Sequence, residues 1–480
     1  MSLKILGKES LIYGFGHVVS RLITFLLLPI YTHTFSPKEY GTISLAYAFM
    51  GFAIVVYKYG MDTALMKFSV QSENSERKSY ISSIYILQFC SSLIFSGILF
   101  LLKDIISEPI LGVADSSLMS VISILIFLDN LWNHHLLILR SENKSTAFIS
   151  FNLLNVIMTM LLNVIFVVKW EYGIYGVFYA NLIASASVFI LSSPVIIKRL
   201  SFSEINLDIL KNVIKFGIPF LPAGLLTMVM ELSNRYMLEM MKGVEAVGLF
   251  SAGYKLGIFA LVLVMGFNMG WTPYFLRRIK DDGSKEDFSI ITTLFLGLIG
   301  FVIFTTTIWI SDLIRISING SYIIGKEFWV AEKIVPVVLF GYFFFGTYVL
   351  QLPGIYANNI TNWVPIFRAI GAISNISFNI ILIHRYGVIG SAWATVLSFF
   401  IMSLAVFIKL NKNFRVKYNW LGVLFPILSM LILLFDIKNM LLRFILPIIY
   451  ILVWYLVIVN NVEKKGCLVL LISLAKNSKK

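Results

Sequence analysis

Ser10–Phe35 reads SLIYGFGHVVSRLITFLLLPIYTHTF. About 20 apolar residues at 1.5 Å each cover roughly 30 Å of hydrocarbon, so this stretch is long enough to cross a bilayer. It carries Arg21 near its middle. A guanidinium at bilayer depth costs several kcal/mol, so it must face a polar interior or a partner. Gly14, His17, Arg21 and Thr24 recur at spacings of three and four and fall on one helical stripe, with Leu, Ile, Val and Phe on the other faces. One side of the helix faces lipid and the other presents a cation inward.

The rest of the chain has the same character. Of 480 residues, 58% are hydrophobic and only 13% charged, more apolar surface than a soluble fold can bury. The fold class is an all-α polytopic membrane protein. The first apolar run is too long for a signal peptide and no small-residue cleavage site follows it. Fourteen spanning helices are expected near 10–34, 40–66, 79–102, 115–139, 145–168, 173–197, 211–241, 245–275, 287–311, 328–352, 358–383, 387–410, 419–435 and 440–461.

The net charge of +14 does not point to nucleic acid, because the basic residues fall in alternate loops. With the N-terminus inside, the inner segments hold 24 Lys and Arg and the outer ones 10, which places both termini in the cytoplasm. The run Cys467–Ala475 is too short to span and reads as a basic tail at the cytoplasmic surface. Cys90 and Cys467 suggest neither a disulfide nor a metal framework. His134 and His135 lack further ligands at metal spacing. No phosphate-binding GxxxxGK[ST] motif occurs, and no cofactor is implied.

Arg21, Lys58, Arg235, Lys255 and Arg368 are left over as basic residues within or at the ends of helices, against the acids Asp62, Asp129, Glu231 and Glu239. An internal repeat orders them. Gly41-x-x-Ser44-x-x-Tyr47 returns as Gly248-x-x-Ser251-x-x-Tyr254 at an offset of 207, and Tyr172-Gly173 through Tyr179-Ala180 returns as Tyr386-Gly387 through Trp393-Ala394 at 214. Six helices per repeat is even, so the halves run parallel, related by an axis along the membrane normal; transporters built this way place the substrate path between halves that rock. The expected organisation is an N-terminal six-helix lobe at 1–198, a cytoplasmic linker at 199–210, a C-terminal six-helix lobe at 211–411, helices 13 and 14 at 412–462, and the basic tail at 463–480.

The opening residues carry a resemblance. Glu9, Ser10 and Gly14, then Ser20-Arg21, Leu28-Pro29 and Tyr31, and Phe35-Ser36-Pro37 leading to Glu39-Tyr40-Gly41, resemble the start of the oligosaccharide flippases. These belong to the multidrug/oligosaccharidyl-lipid/polysaccharide exporter superfamily. The resemblance implies movement of an undecaprenyl-diphosphate-linked oligosaccharide, an O-antigen or capsule repeat unit of lipopolysaccharide or polysaccharide biosynthesis. The movement would run from the inner to the outer leaflet of the bacterial inner membrane. It implies two six-helix lobes around a cationic cavity, and the company of membrane lipid, a polysaccharide polymerase and chain-length proteins. Family members carry basic residues on the first, second, seventh and eighth helices; Arg21, Lys58, Arg235 and Lys255 sit there in this chain. The acid that often precedes the seventh-helix arginine is Asn234 here.

The residues suit that cargo. A diphosphate carries about two negative charges; Arg binds phosphate bidentately and Lys as a point charge. Arg21, Lys58, Arg235 and Lys255 are therefore the expected substrate-binding residues, and Asp62, Asp129 and Glu231 the expected ion-coupling residues. Competing readings are structural. Lys58 and Asp62 can pair at i, i+4, and Glu231, Arg235 and Glu239 form a self-neutralising stripe. Asp129 can be a hydrogen-bonded structural carboxylate, and the asparagines Asn152, Asn155, Asn163, Asn375 and Asn379 can join helices rather than bind sugar. A drug or organic-cation antiporter of the same superfamily would want buried acids, whereas buried bases are in excess here. A lipid-linked peptidoglycan precursor flippase would share the cationic cavity. A membrane glycosyltransferase or polymerase would need larger outer loops. The chain is therefore not expected to be an enzyme.

Overall fold

Residues 25–72, 74–318, 320–431, 437, 439–461, 463 and 464 are described by the structure, a computed structural model of the whole chain. Arg21, most of the first expected span and the tail run 467–475 lie outside the described residues. The helices are α1 (residues 25–34), α2 (Pro37–Lys58), α3 (Met61–Gln71), α4 (Asn74–Leu101), α5 (Lys103–Leu111), α6 (Ser116–Ser141), α7 (Ser145–Asn163), α8 (Gly173–Ile197), α9 (Leu207–Gly217), α10 (Phe220–Lys242) and α11 (Val244–Leu256). After them come α12 (Ile258–Arg278), α13 (Ser284–Ile314), α14 (Val335–Leu350), α15 (Leu352–Ala357), α16 (Val364–Asn413), α17 (Trp420–Ser429) and α18 (Met440–Val453). A short hairpin, β1 (Ser317–Ile318) with β2 (Ser321–Tyr322), joins α13 to the next helices.

Among the described residues, eleven helical stretches are long and apolar enough to cross a membrane. One of them, residues 361–413, contains a non-helical residue, Gly387 (φ 56°, ψ −131°), so it folds as two spans, as the sequence suggests. With that division, the shorter apolar α17 and the partly described first helix, the arrangement accords with about fourteen spans.

Three expected single helices are broken. The second span ends at Lys58 and restarts at Met61, because Tyr59 (φ 28°) and Gly60 (φ 83°) leave the helical region. The seventh divides at Ile218–Pro219, where proline offers no N–H to the preceding turn. The eighth divides at Gly257, where a Cβ would lie 2.7 Å from Val338 Cγ1.

The chain forms two units, Met1–Ala252 and Gly253–Lys480. In the first, α6 is the hub: it packs on α8, α4, α3, α2, α5 and α7, and its interior face is buried. Asp115 caps α6 through Leu118 N–H at 2.9 Å and accepts the Tyr175 hydroxyl at 2.7 Å, tying α8 to the start of α6. Pro37 and the reciprocal Ser36–Glu39 capping box open α2. In the second unit α14 is central, packed on α16, α13 and α12, and Trp271 Nε1 donates to Val349 O at 3.1 Å. Helices α17 and α18 lie against α13, where a Cβ on Gly297 would meet the Trp454 indole at 2.1 Å and the Tyr450 hydroxyl donates to Gly297 O at 3.1 Å. Their other faces, such as Leu428, Ile448 and Leu452, are exposed, as lipid-facing surfaces must be.

Candidate functional site

The polar residues of the first unit gather around α6. Asp129 accepts Trp132 Nε1–H at 2.9 Å and the Ser185 hydroxyl, from α8, at 2.6 Å. Asn155 of α7 donates to the same Ser185 oxygen at 3.4 Å, and Asn181 donates to the Tyr47 hydroxyl at 2.8 Å. A second layer runs along α4: Asn130 Nδ2 donates to Gln88 Oε1 and Ser92 Oγ, both at 2.8 Å, and the Ser96 hydroxyl, linked to Tyr57, donates to Ser123 O at 2.9 Å. Hydrogen bonds of this kind hold transmembrane helices together.

Lys58 and Asp62 border this interior from either side of the Tyr59–Gly60 break. Lys58 ends α2 and Asp62 opens α3, the termini whose partial charges favour a cation and an anion respectively. Asp62 Oδ1 accepts Thr63 N–H at 2.8 Å. The competing reading of an intrahelical Lys58–Asp62 pair does not hold, because the two residues stand on separate helices. Instead the Lys58 charge acts on Asp129 and His134, and the Asp62 charge on His134. Sequence reasoning placed Lys58 and Asp62 on the second span and Asp129 and His134 on the fourth; the structure brings the four to one region.

The two histidines are held differently. His135 Nδ1 meets Ser192 Oγ at 2.8 Å and its Nε2 meets the Tyr85 hydroxyl at 2.9 Å. His134 Nδ1 meets only the carbonyl of Asn130, at 2.8 Å.

The remaining expected residues lie elsewhere. Arg235, half-buried on α10, donates to Glu231 O one turn back at 3.1 Å, and its charge acts on Tyr40 and Tyr236. The Glu231 side chain is exposed, and Asn234 between them is fully buried. Lys255 lies in the last turn of α11 in the second unit, next to Tyr254, whose hydroxyl accepts that of Tyr342 at 2.7 Å. Asn379 accepts the Ser391 hydroxyl at 2.8 Å across the Gly387 break and donates to Asn375 O, one turn back, at 2.8 Å, whereas Asn152 donates to Phe148 O within its own helix.

A further group was not foreseen. Glu142, between α6 and α7, accepts a bidentate contact from Arg199 at 2.5 and 2.6 Å, an ion pair from Lys144 at 2.8 Å, and a longer one from Arg77 at 3.9 Å. Burial alone would raise its carboxyl, but the hydrogen bonds and charges of Arg199 and Lys144 outweigh that and hold it below the usual glutamate range. Three loop cations that the sequence explains by topology thus share one carboxylate.

Residues 6–279 match the family model described as "Polysaccharide biosynthesis protein", more than half of the chain. The chain belongs to this family. Its fold is that of the multidrug/oligosaccharidyl-lipid/polysaccharide exporter superfamily of flippases. The lipid II flippase MurJ in an inward closed conformation is similar over 93% of this chain and 98% of its own, with a TM-score of 0.74 and 16% identity. An inward-facing multidrug resistance transporter of the superfamily is similar over 83% of this chain and 100% of its own (TM-score 0.63, 14% identity). A superfamily transporter from Pyrococcus furiosus is similar over 90% and 97% (TM-score 0.60, 13% identity). At these identities the likeness is one of fold. No curated protein matches the chain significantly by sequence. Family and fold together describe a multi-pass membrane transporter.

Proposed function

We propose that this polysaccharide biosynthesis family member moves an undecaprenyl-diphosphate-linked oligosaccharide from the inner to the outer leaflet of the bacterial inner membrane, with both termini in the cytoplasm. The observation that carries the reading is a surplus of intramembrane cations in a chain of this family: Lys58, Arg235 and Lys255 stand in or at the ends of apolar helices, and Arg21 interrupts the apolar sequence of the first expected span. Such cations are expensive in lipid and suit an anionic cargo. In this reading they contact the diphosphate or acidic sugars, and Asp62, Asp129 and Glu231 are the carboxylates available for ion coupling. A drug or organic-cation antiporter is disfavoured by the same surplus. The polymerase and chain-length proteins of the resemblance remain the proposed protein partners.

The test is complementation of a flippase-deletion strain, scored by surface polysaccharide. Wild-type protein restores export and Arg21→Ala does not, at matched membrane expression. Normal export by the arginine variant overturns the assignment. A second reading, transport of a lipid-linked peptidoglycan precursor, is favoured by the fold similarity to the lipid II flippase. Rescue of a strain depleted of that activity, without rescue of polysaccharide export, would establish it instead.

A further inference from the structure

His134 is fully buried in the hub helix α6, yet one of its two ring nitrogens is unused. Its Nδ1 lies 2.8 Å from Asn130 O. A carbonyl only accepts, so Nδ1 carries the hydrogen and Nε2 of the neutral ring is a bare lone pair. Among the described residues Nε2 has no hydrogen-bond partner. Two more buried polar atoms at the α4–α6 interface share that condition, Asn130 Oδ1 and Gln88 Nε2. An unpartnered buried polar atom costs about 1–3 kcal/mol, and such atoms are few in folded proteins. The adjacent His135 is the internal control: both of its nitrogens meet hydroxyls, as a structural histidine requires.

The groups facing His134 come from three neighbouring helices and from α6 itself. Lys58 of α2 and Asp62 of α3 act on its ring directly; Asp129 lies on α6 and feels Lys58 and Tyr47; Tyr85 of α4 is bound to His135. The α8 side chains that hydrogen-bond to the neighbouring Asp129 and His135, Ser185 and Ser192, are uncharged. With both carboxylates ionised and the ring neutral, Lys58, Asp62, Asp129 and His134 sum to one negative charge. One proton on Nε2 brings the sum to zero. Lys58 and Asp62 stand at opposite lips of the α2–α3 break, where Gly60 abuts the Gly217 backbone of α9. A charge gained at His134 therefore repels one lip and attracts the other.

We propose that His134 is a proton-binding site whose occupancy acts on the α2–α3 break through Lys58 and Asp62, making the proton the coupling ion of transport. The step is a simple one: a proton from water forms an N–H bond at Nε2, and on release that bond breaks and the proton returns to water. Nothing is oxidised or reduced. The claim that this proton drives transport rests on the flippase reading; the claim that His134 binds it does not.

The experiment uses the full chain in lipid vesicles with ¹⁵N-labelled histidine rings, His134 being assigned by loss of its signals in His134→Asn. Asparagine can still donate to Asn130 O but lacks Nε2. The expected result is an Nδ1–H tautomer at about pH 8 that converts to the doubly protonated ring as the medium is acidified. The midpoint moves up in Lys58→Met, which removes a repelling cation, and down in Asp62→Asn, which removes an attracting anion. His135→Asn leaves the His134 conversion in place. A ring that stays neutral throughout, or a midpoint indifferent to both neighbours, overturns the site. If His134→Asn does not fold, the wild-type tautomer and the two neighbour variants still decide. In the same vesicles an imposed pH gradient accelerates flipping of a fluorescent lipid-diphosphate-linked oligosaccharide by wild type and not by His134→Asn. Equal acceleration in both overturns the coupling role. No flipping by wild type at all refutes the flippase reading, and with it the coupling role, while the ring titration still decides the site.

Discussion

Gly41 and Gly248 lie where α2 and α11 cross with no room for a side chain between them. A Cβ on Gly248 would fall 1.8 Å from Pro37 O and 3.0 Å from Gly41 N, and one on Gly41 would fall 2.0 Å from Val244 O. These are the leading residues of the two copies of the Gly-x-x-Ser-x-x-Tyr motif. Small residues at such crossings let helix backbones approach closely in a membrane, where no hydrophobic drive joins them. Because the obstructing atoms are backbone, no side-chain rotation relieves the contact. Gly41→Ala and Gly248→Ala should each destabilise the folded protein by about 1–3 kcal/mol. Gly97→Ala on α4, which meets nothing within 4 Å, should be neutral or slightly stabilising because alanine is the better helix former. Thermal unfolding in detergent measures both; equal behaviour of the three variants would mean that the crossing is not tight.

The α2–α3 break yields a sharper comparison. Gly60 has φ 83° and a Cβ there would stand 2.0 Å from Gly217 O, whereas Gly173 has φ 57° and open space around it. Gly173→Ala isolates the backbone term, about 1–2 kcal/mol for a residue forced to positive φ. Gly60→Ala adds a collision with α9. It should lower the unfolding temperature more than Gly173→Ala and reduce transport as well, because the Lys58 and Asp62 lips move. A Gly60→Ala protein as stable as Gly173→Ala would show that α9 yields at no cost.

These contacts mark what could be read from the sequence. Hydropathy located the spans because a helix in lipid must be apolar for about 20 residues. The break at Gly387 was legible from the paired tyrosine–glycine motifs. The break at Gly60 was not, since Lys58 and Asp62 look like an ordinary i, i+4 pair until Gly217, far along the chain, is brought beneath them. The same limit hid the polar interior: Asp129 was visible as an intramembrane acid, but its partners Ser185 and Trp132 and its neighbour Lys58 depend on how α2, α6 and α8 meet. His134 looked like half of an unremarkable pair, and only its lack of a second partner separates it from His135. Arg21, the residue that first announced an internal cation, lies outside the described residues and remains a matter for export assays.

Glu142 gives a pH-dependent prediction outside the membrane. Its carboxyl is held below the usual glutamate range by Arg199 and Lys144, so ionising it is easier in the folded than in the unfolded chain. The stabilisation is therefore fully present above the unfolded glutamate pKa, about 4.3, and is lost as pH falls through the lower folded value. Glu142→Gln should lower the unfolding temperature at neutral pH, since it leaves Arg199 and Lys144 without their shared anion. The gap between wild type and variant should close as the medium is acidified. A gap that is constant with pH would locate the effect in packing rather than charge.

Asp129 separates a structural from a coupling carboxylate. Its Oδ1 accepts from both Trp132 and Ser185, and asparagine keeps an oxygen at that place while removing the charge. Asp129→Asn should therefore fold with nearly wild-type thermal stability. Asp129→Leu strips two buried donors of their acceptor and should cost about 1–3 kcal/mol for each. If the negative charge serves ion coupling, the asparagine variant, although folded, should lose the response of transport to an imposed pH gradient, since the cluster of Lys58, Asp62 and His134 becomes less attractive to a proton. If it serves only as an acceptor for α8, the asparagine variant should transport with an unaltered pH response. Measuring unfolding and gradient-driven flipping on the same three proteins distinguishes these outcomes, because the hydrogen bonds and the charge are removed in different steps.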